Sequence, residues 1–110
     1  MTIAAAPQRR RRLTKEELQQ ELKASILESI RKSHVEVAES GLSTVDNWAR
    51  KGADRLATDQ SDASFQLAGT NAERCGKAIG EAARATPDRT ATRDLILAVF
   101  NKICPIYPFC

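Results

Sequence analysis

Aromatic residues are scarce in this 110-residue chain, at 5%, with a single Trp and a single Tyr. Strand formers are few and good helix formers such as Ala and Leu are plentiful, a balance that leans towards an α-helical fold. Glycine and proline are sparse too, at five and four, and Pro105 and Pro108 crowd one end, so little punctuates the remainder. Long hydrophobic runs are missing. The longest clean one, Leu95 to Phe100, falls far short of the ~20 residues needed to cross a bilayer, so no membrane span is expected.

Motifs that carry chemistry are lacking as well. His34 is the one histidine, and spacing places neither a nucleophile nor an orienting carboxylate beside it, so it reads as a surface residue. There is no glycine-rich phosphate loop, no HExxH pair and no CxxC. No catalytic residue, metal ligand set, cofactor or small-molecule substrate is therefore expected, and the chain does not read as an enzyme. Three cysteines, an odd number, suit a reducing compartment better than a disulfide framework. Cys104 and Cys110 read as unpaired thiols, and Cys75 as a small buried residue. The apolar stretch Met1 to Pro7 precedes the basic run, the reverse of a secretory signal, so a soluble, cytoplasmic protein is expected.

What is present fits one ordinary domain: 42% apolar and 28% charged residues, in a length typical of a single core. The net charge is +3, and taking Arg9, Arg10, Arg11 and Arg12 from it leaves −1 for the rest. Attraction for phosphate is thus concentrated in one tail.

Residues 1–12 show no apolar periodicity and are expected to form a flexible basic arm. Thr14 with Glu17 then reads as a capping box, stapled by Leu13 onto Leu18, and Leu18, Leu22, Ile26 and Ile30 lie on one helical stripe. Glu28 and Lys32 are spaced to pair. At Ser40-Gly41 either one long amphipathic helix bends or two helices meet at a short turn, with Ser43 and Asp46 able to cap a second helix that carries Val45, Trp48, Gly52 and Leu56. Thr58 to Ser64 is polar enough to be a connection, capped by Ser61 or Asp62. Beyond it Phe65, Ala68, Ala72, Cys75, Ile79 and Ala82 form an unbroken heptad seam. Gly69, Gly76 and Gly80 lie beside it, which predicts close antiparallel packing on the first helix. Thr86-Pro87 reads as the start of a last helix with Leu95, Ile96, Val99, Phe100 and Ile103 on one face. No internal repeat is visible. The expectation is an all-α fold, a three- to four-helix bundle or a helical hairpin plus C-terminal helix, with its single domain at 13–104 and a Pro/Cys-containing tail at 105–110.

The stretch from His34 to Gly52, with Ala38, Gly41, Val45 and Trp48 at its structural positions, resembles the helix-turn-helix of small prokaryotic and phage repressors. That resemblance implies a turn at Gly41 and a recognition helix presenting Ser43, Thr44, Asn47, Arg50 and Lys51 to a DNA groove. The gap from Ala38 to Gly41 is three residues where such motifs usually have four.

Two functions follow as expectations. The first is a non-enzymatic helical regulator or adaptor acting through helix-mediated contact with a protein partner or with itself, for which Trp48, Leu95, Val99, Phe100 and Ile103 are the candidate contact residues. The alternative is a DNA-binding transcriptional regulator using the residues just named together with the Arg9–Arg12 arm. The face from Leu95 to Ile103 has a second reading, as the closure of the domain's own core.

Overall fold

The computed structural model describes residues 12–103. It is an all-α bundle of four helices joined, among the described residues, by one pair of two-residue strands: α1 (Lys15–Arg31), β1 (Glu36–Val37), α2 (Glu39–Thr58), α3 (Asp62–Arg84), β2 (Thr90–Ala91) and α4 (Arg93–Ile103). Arg9, Arg10 and Arg11 and residues 104–110 lie outside the described part, so the expectations for the basic run and the tail thiols fall beyond it. Arg12 does not belong to a free arm, because its guanidinium donates to the Ala57 carbonyl at the end of α2.

The start of α1 follows its local signals. The Thr14 hydroxyl accepts from the Glu17 amide at 3.1 Å and the Glu17 carboxylate accepts from the Thr14 amide at 2.9 Å, two orphan donors satisfied reciprocally. The helix buries Leu18, Leu22, Ile26 and Ile30 completely, each worth roughly 1.5–3 kcal/mol against exposure. The expected Glu28–Lys32 pair does not form among the described residues.

The chain breaks earlier than Ser40-Gly41. Helix α1 ends at Arg31, and His34 takes the left-handed conformation (φ 58°) that commonly closes a helix and that only a few per cent of non-glycine residues adopt. Helix α2 then runs unbroken from Glu39, with Ala38 as its cap and Gly41 and Ser43 inside it. Gly41 is needed there for another reason: a Cβ would stand 2.7 Å from the Ala91 carbonyl oxygen and 2.9 Å from Ile96 Cδ1. It is the point where α2 meets β2 and α4, not the end of a helix. The turn that the repressor resemblance implied at Gly41 is therefore absent, and α2 is entered from a strand.

Helices α1 and α2 are antiparallel. Lys15 pairs with Asp54 and Lys23 with Asp46, both at 3.5 Å, and Gln19 donates to Asp46 at 3.0 Å. At the far end Asp59 accepts from the Ser61 amide and the Ser64 hydroxyl, and Ser61 caps α3 by accepting from the Ser64 amide. The connection is thus shorter than the predicted 58–64.

Helix α3 packs on α1 in parallel, where the sequence suggested antiparallel. Gly76 faces Ser29 and Ile26 and Gly80 faces Ser33 and Ile30, so the numbers rise together along both helices. Close approach does hold, because a Cβ on Gly76 would lie 2.5 Å from the Ser29 Cβ. The direction follows from topology: α2 spends the return trip and α3 sets out again beside α1. The seam buries Phe65, Ala68, Ala72, Cys75 and Ile79, but its next member is Ala83, fully buried, while Ala82 is only half-buried. A straight helix drifts about 20° per heptad, enough to move the stripe on by one residue.

Thr86 does not begin the last helix. Its hydroxyl donates to the Ala83 carbonyl at 2.6 Å and so helps to end α3. Residues 90–91 are taken by pairing in parallel with β1, Glu36 against Thr90 and Val37 against Ala91, and α4 starts only at Arg93. The architecture is consequently a doubled one, helix–strand–helix followed by helix–strand–helix, although the residues themselves do not repeat. A single residue, Ala38 or Thr92, separates each strand from the helix it leads into, and the two strands lie side by side. The starts of α2 and α4 are thereby neighbours, and the Arg93 amide donates to the Ser40 hydroxyl at 3.3 Å.

Candidate functional site

Two of the five apolar residues proposed as contact points are core. Trp48 is 1% exposed and Phe100 fully buried, with ring centroids 6.1 Å apart and planes 17° apart, an offset stack that joins α2 to α4. A small domain uses its largest apolar side chains for its own closure, and the second reading of the α4 face is the one the structure supports. Leu95, Val99 and Ile103 are half-buried and pack against the same core. Leu67 on α3 is the large apolar residue left exposed among those described, at 46%.

The polar residues singled out on α2 do come together. Ser43, Thr44, Asn47 and Arg50 line an open groove of about 530 Å³ with Ser40, Asp46, Arg93 and Leu97. The Thr44 hydroxyl donates to the Ser40 carbonyl and Arg50 donates to the Asn47 side-chain oxygen. Asp46 is shared with α1 through Lys23 and Gln19, which tempers its charge. Lys51 is exposed but lies outside the groove's lining.

A second groove of about 640 Å³ runs between α1 and α3 and was not anticipated. Its lining is Ser29, Lys32 and Ser33 from α1 and the segment after it, and Thr70, Glu73, Arg74, Lys77, Glu81 and Arg84 from α3. The floor is low because Gly76 and Gly80 bring the helices together, and the Ser29 hydroxyl is used up in donating to the Glu73 carbonyl at 2.9 Å. Lys32, Lys77 and Arg84 form no ion pair among the described residues. The signal for this face was in the sequence: Arg74, Lys77, Glu81 and Arg84 repeat the seam's spacing two positions further along, and such a row reads as an ordinary solvated face.

Among the described residues, titratable groups are perturbed at two places, both outside these two grooves. Burial pushes the Cys75 thiol above its ordinary value. The Ser64 hydroxyl, then the Ser61 amide and hydroxyl, hold the Asp59 carboxyl below the usual carboxylate value by hydrogen-bonding its charged form. Among the described residues, two buried side-chain polar atoms have no hydrogen-bond partner, Ser25 Oγ and Trp48 Nε1. Among the described residues there is no cluster of His, Cys, Asp and Glu that could hold a metal ion, and no helix is long and apolar enough to cross a membrane.

No protein-family model matches the chain, and no curated protein and no solved structure is significantly similar to it.

Proposed function

We propose that this chain is a non-enzymatic adaptor or regulator that acts by helix-mediated contact with another protein or with a second copy of itself. The observation that carries this reading is the trough between α1 and α3, open along its length and walled by polar and charged side chains of both signs. Small-molecule sites are typically enclosed; an open channel between two helices, lined by charged side chains of both signs, is better matched to a segment of polypeptide. The test is sedimentation of the pure protein together with affinity capture from the cells that make it. A defined protein retained in stoichiometric amount, or a concentration-dependent dimer, is the expected result. A monomer that retains nothing would refute the reading.

A second reading, nucleic-acid binding, draws support from the α2 groove, where Ser43, Thr44, Asn47 and Arg50 lie beside Arg93. Its test is a mobility shift with a duplex from the gene's own upstream region at low salt, where phosphate contacts are strongest. Affinity should fall steeply with added salt, and sequence preference should fade in Arg50→Ala. Absence of any shift at low salt would end it.

A further inference from the structure

We infer that the groove between α1 and α3 receives an acidic segment of a protein partner; this rests on the adaptor reading above and names the surface and the chemistry. Four cations line the groove, Lys32, Arg74, Lys77 and Arg84, against two carboxylates, Glu73 and Glu81. Three of those cations have no ion-pair partner among the described residues, so their charge is available to an incoming carboxylate. Arg74, Lys77 and Arg84 fall on one face of α3, and with a rise of ~1.5 Å per residue they span about 15 Å along its axis. That length suits four or five residues of extended chain at ~3.3 Å each, with carboxylates on alternate residues or every third one. The low floor, set by Gly76 and Gly80 with Ser29 and Ser33, lets a backbone lie close to the cations.

A peptide fits this surface better than a polyphosphate does. Glu73 and Glu81 interrupt the basic row and would repel an unbroken string of phosphates, whereas a peptide can present basic or neutral residues opposite them. The parallel arrangement of α1 and α3 also puts their two C-terminal ends together near Lys32 and Arg84, and the partial negative charge there offsets part of the local positive field. That negative end opposes any anion in proportion to its charge, so it costs a dense polyphosphate more than a peptide with spaced carboxylates.

The experiment titrates the full isotope-labelled chain at low salt with a short synthetic peptide carrying Glu at every third position. The same peptide with Gln for Glu and a short DNA duplex serve as comparators. Amide shifts should map to Ser29, Lys32, Ser33, Arg74, Lys77 and Arg84. The double variant Lys77→Glu with Arg84→Glu, both exposed, should weaken binding about tenfold, since each exposed pair contributes modestly and reversal adds repulsion. Replacing Arg12 by Ser should change it by less than about threefold, because Arg12 does not line the groove. Shifts confined to the basic run or to the α2 groove, no binding, an undiminished double variant, or tighter binding of the duplex in the same groove would each overturn the inference. If the double variant still captures the wild-type partner, the inference fails and the adaptor reading stands. If the wild type captures nothing and remains a monomer, the adaptor reading itself fails.

Discussion

Replacing Gly76 by Ala sets two known effects against each other. In an isolated helix the change would stabilise by about 1 kcal/mol, because glycine is the more costly residue to order. Here the new methyl would lie 2.5 Å from the Ser29 Cβ and 2.8 Å from the Ile26 carbonyl oxygen, both fixed parts of α1 that cannot swing aside. Relief requires α1 and α3 to separate, at the ~1–3 kcal/mol typical of overpacking. It also strains the bond from the Ser29 hydroxyl to Glu73, a contribution of about 1 kcal/mol. The net expectation is a loss of about 1–3 kcal/mol, which lowers Tm by roughly 4–8 °C for each kcal/mol in a domain of this size. Thermal and urea unfolding followed by far-ultraviolet circular dichroism measure it. Adding Ser29→Gly removes the nearer contact and leaves the carbonyl, so the double variant should recover part of the loss left after the hydrogen bond is gone, a coupling that a double-mutant cycle reads directly. If Gly76→Ala alone is as stable as the wild type or more so, helix propensity has met no opposition, and the close contact of α1 with α3 is wrong.

Four further outcomes can be checked on the same preparation. Ser25→Ala should raise stability by about 1 kcal/mol in urea unfolding, because it deletes a buried hydroxyl without a partner; a loss would show that the hydroxyl is satisfied. Trp48→Ala should cost ~3–5 kcal/mol, while Trp48→Phe should cost under about 2 kcal/mol, since it keeps a ring against Phe100 and removes an indole N–H that finds no acceptor. The lowered pKa of Asp59 means that its contribution is fully present above the unfolded value of 3.8 and disappears as pH falls through the lower folded value. Asp59→Asn should therefore flatten the fall of Tm on the acid side of that value, and an unchanged acid limb would count against the serine hydrogen bonds. With Cys104→Ser and Cys110→Ser in place, Cys75 should resist a thiol reagent until urea unfolds the chain, because it is buried and its thiolate disfavoured; reaction at the free-thiol rate in native buffer would place it at the surface.

The elements that could be read from the residues are those fixed by local chemistry. Thr14 and Glu17 lie three apart and bond to each other, so the start of α1 needed nothing from the rest of the chain. The stripe from Leu18 to Ile30 and the seam from Phe65 to Ile79 were legible because each buries one continuous face. What escaped was set by partners distant in sequence. Gly41 looks the same as a helix stop or as a point of close approach, and only the arrival of Ala91 and Ile96 decides between them. Two-residue strands have no periodicity, so Glu36–Val37 and Thr90–Ala91 left no pattern, and with them went the true ends of α1 and α3. The direction of α3 was misjudged because glycines report how near a neighbour comes and nothing about which way it runs. For the site, α2's polar residues were found because a resemblance pointed at them, whereas the cationic row on α3 was passed over because a charged helix face is ordinarily just wet.

The central place of α1, flanked on one side by α2 and on the other by a parallel α3, constrains the order in which the chain can assemble. The hairpin of α1 with α2 can close early, since its loop is short, but by itself it leaves the α1 surface at Ser29 and Ile26 facing water. Only when α3 docks do Glu36 and Thr90 come within reach of each other, and that closure spans most of the domain at an entropic cost paid before any reward. A strand pair that closes so long a loop is expected to form late, so a variant that loosens it should speed unfolding more than it slows folding.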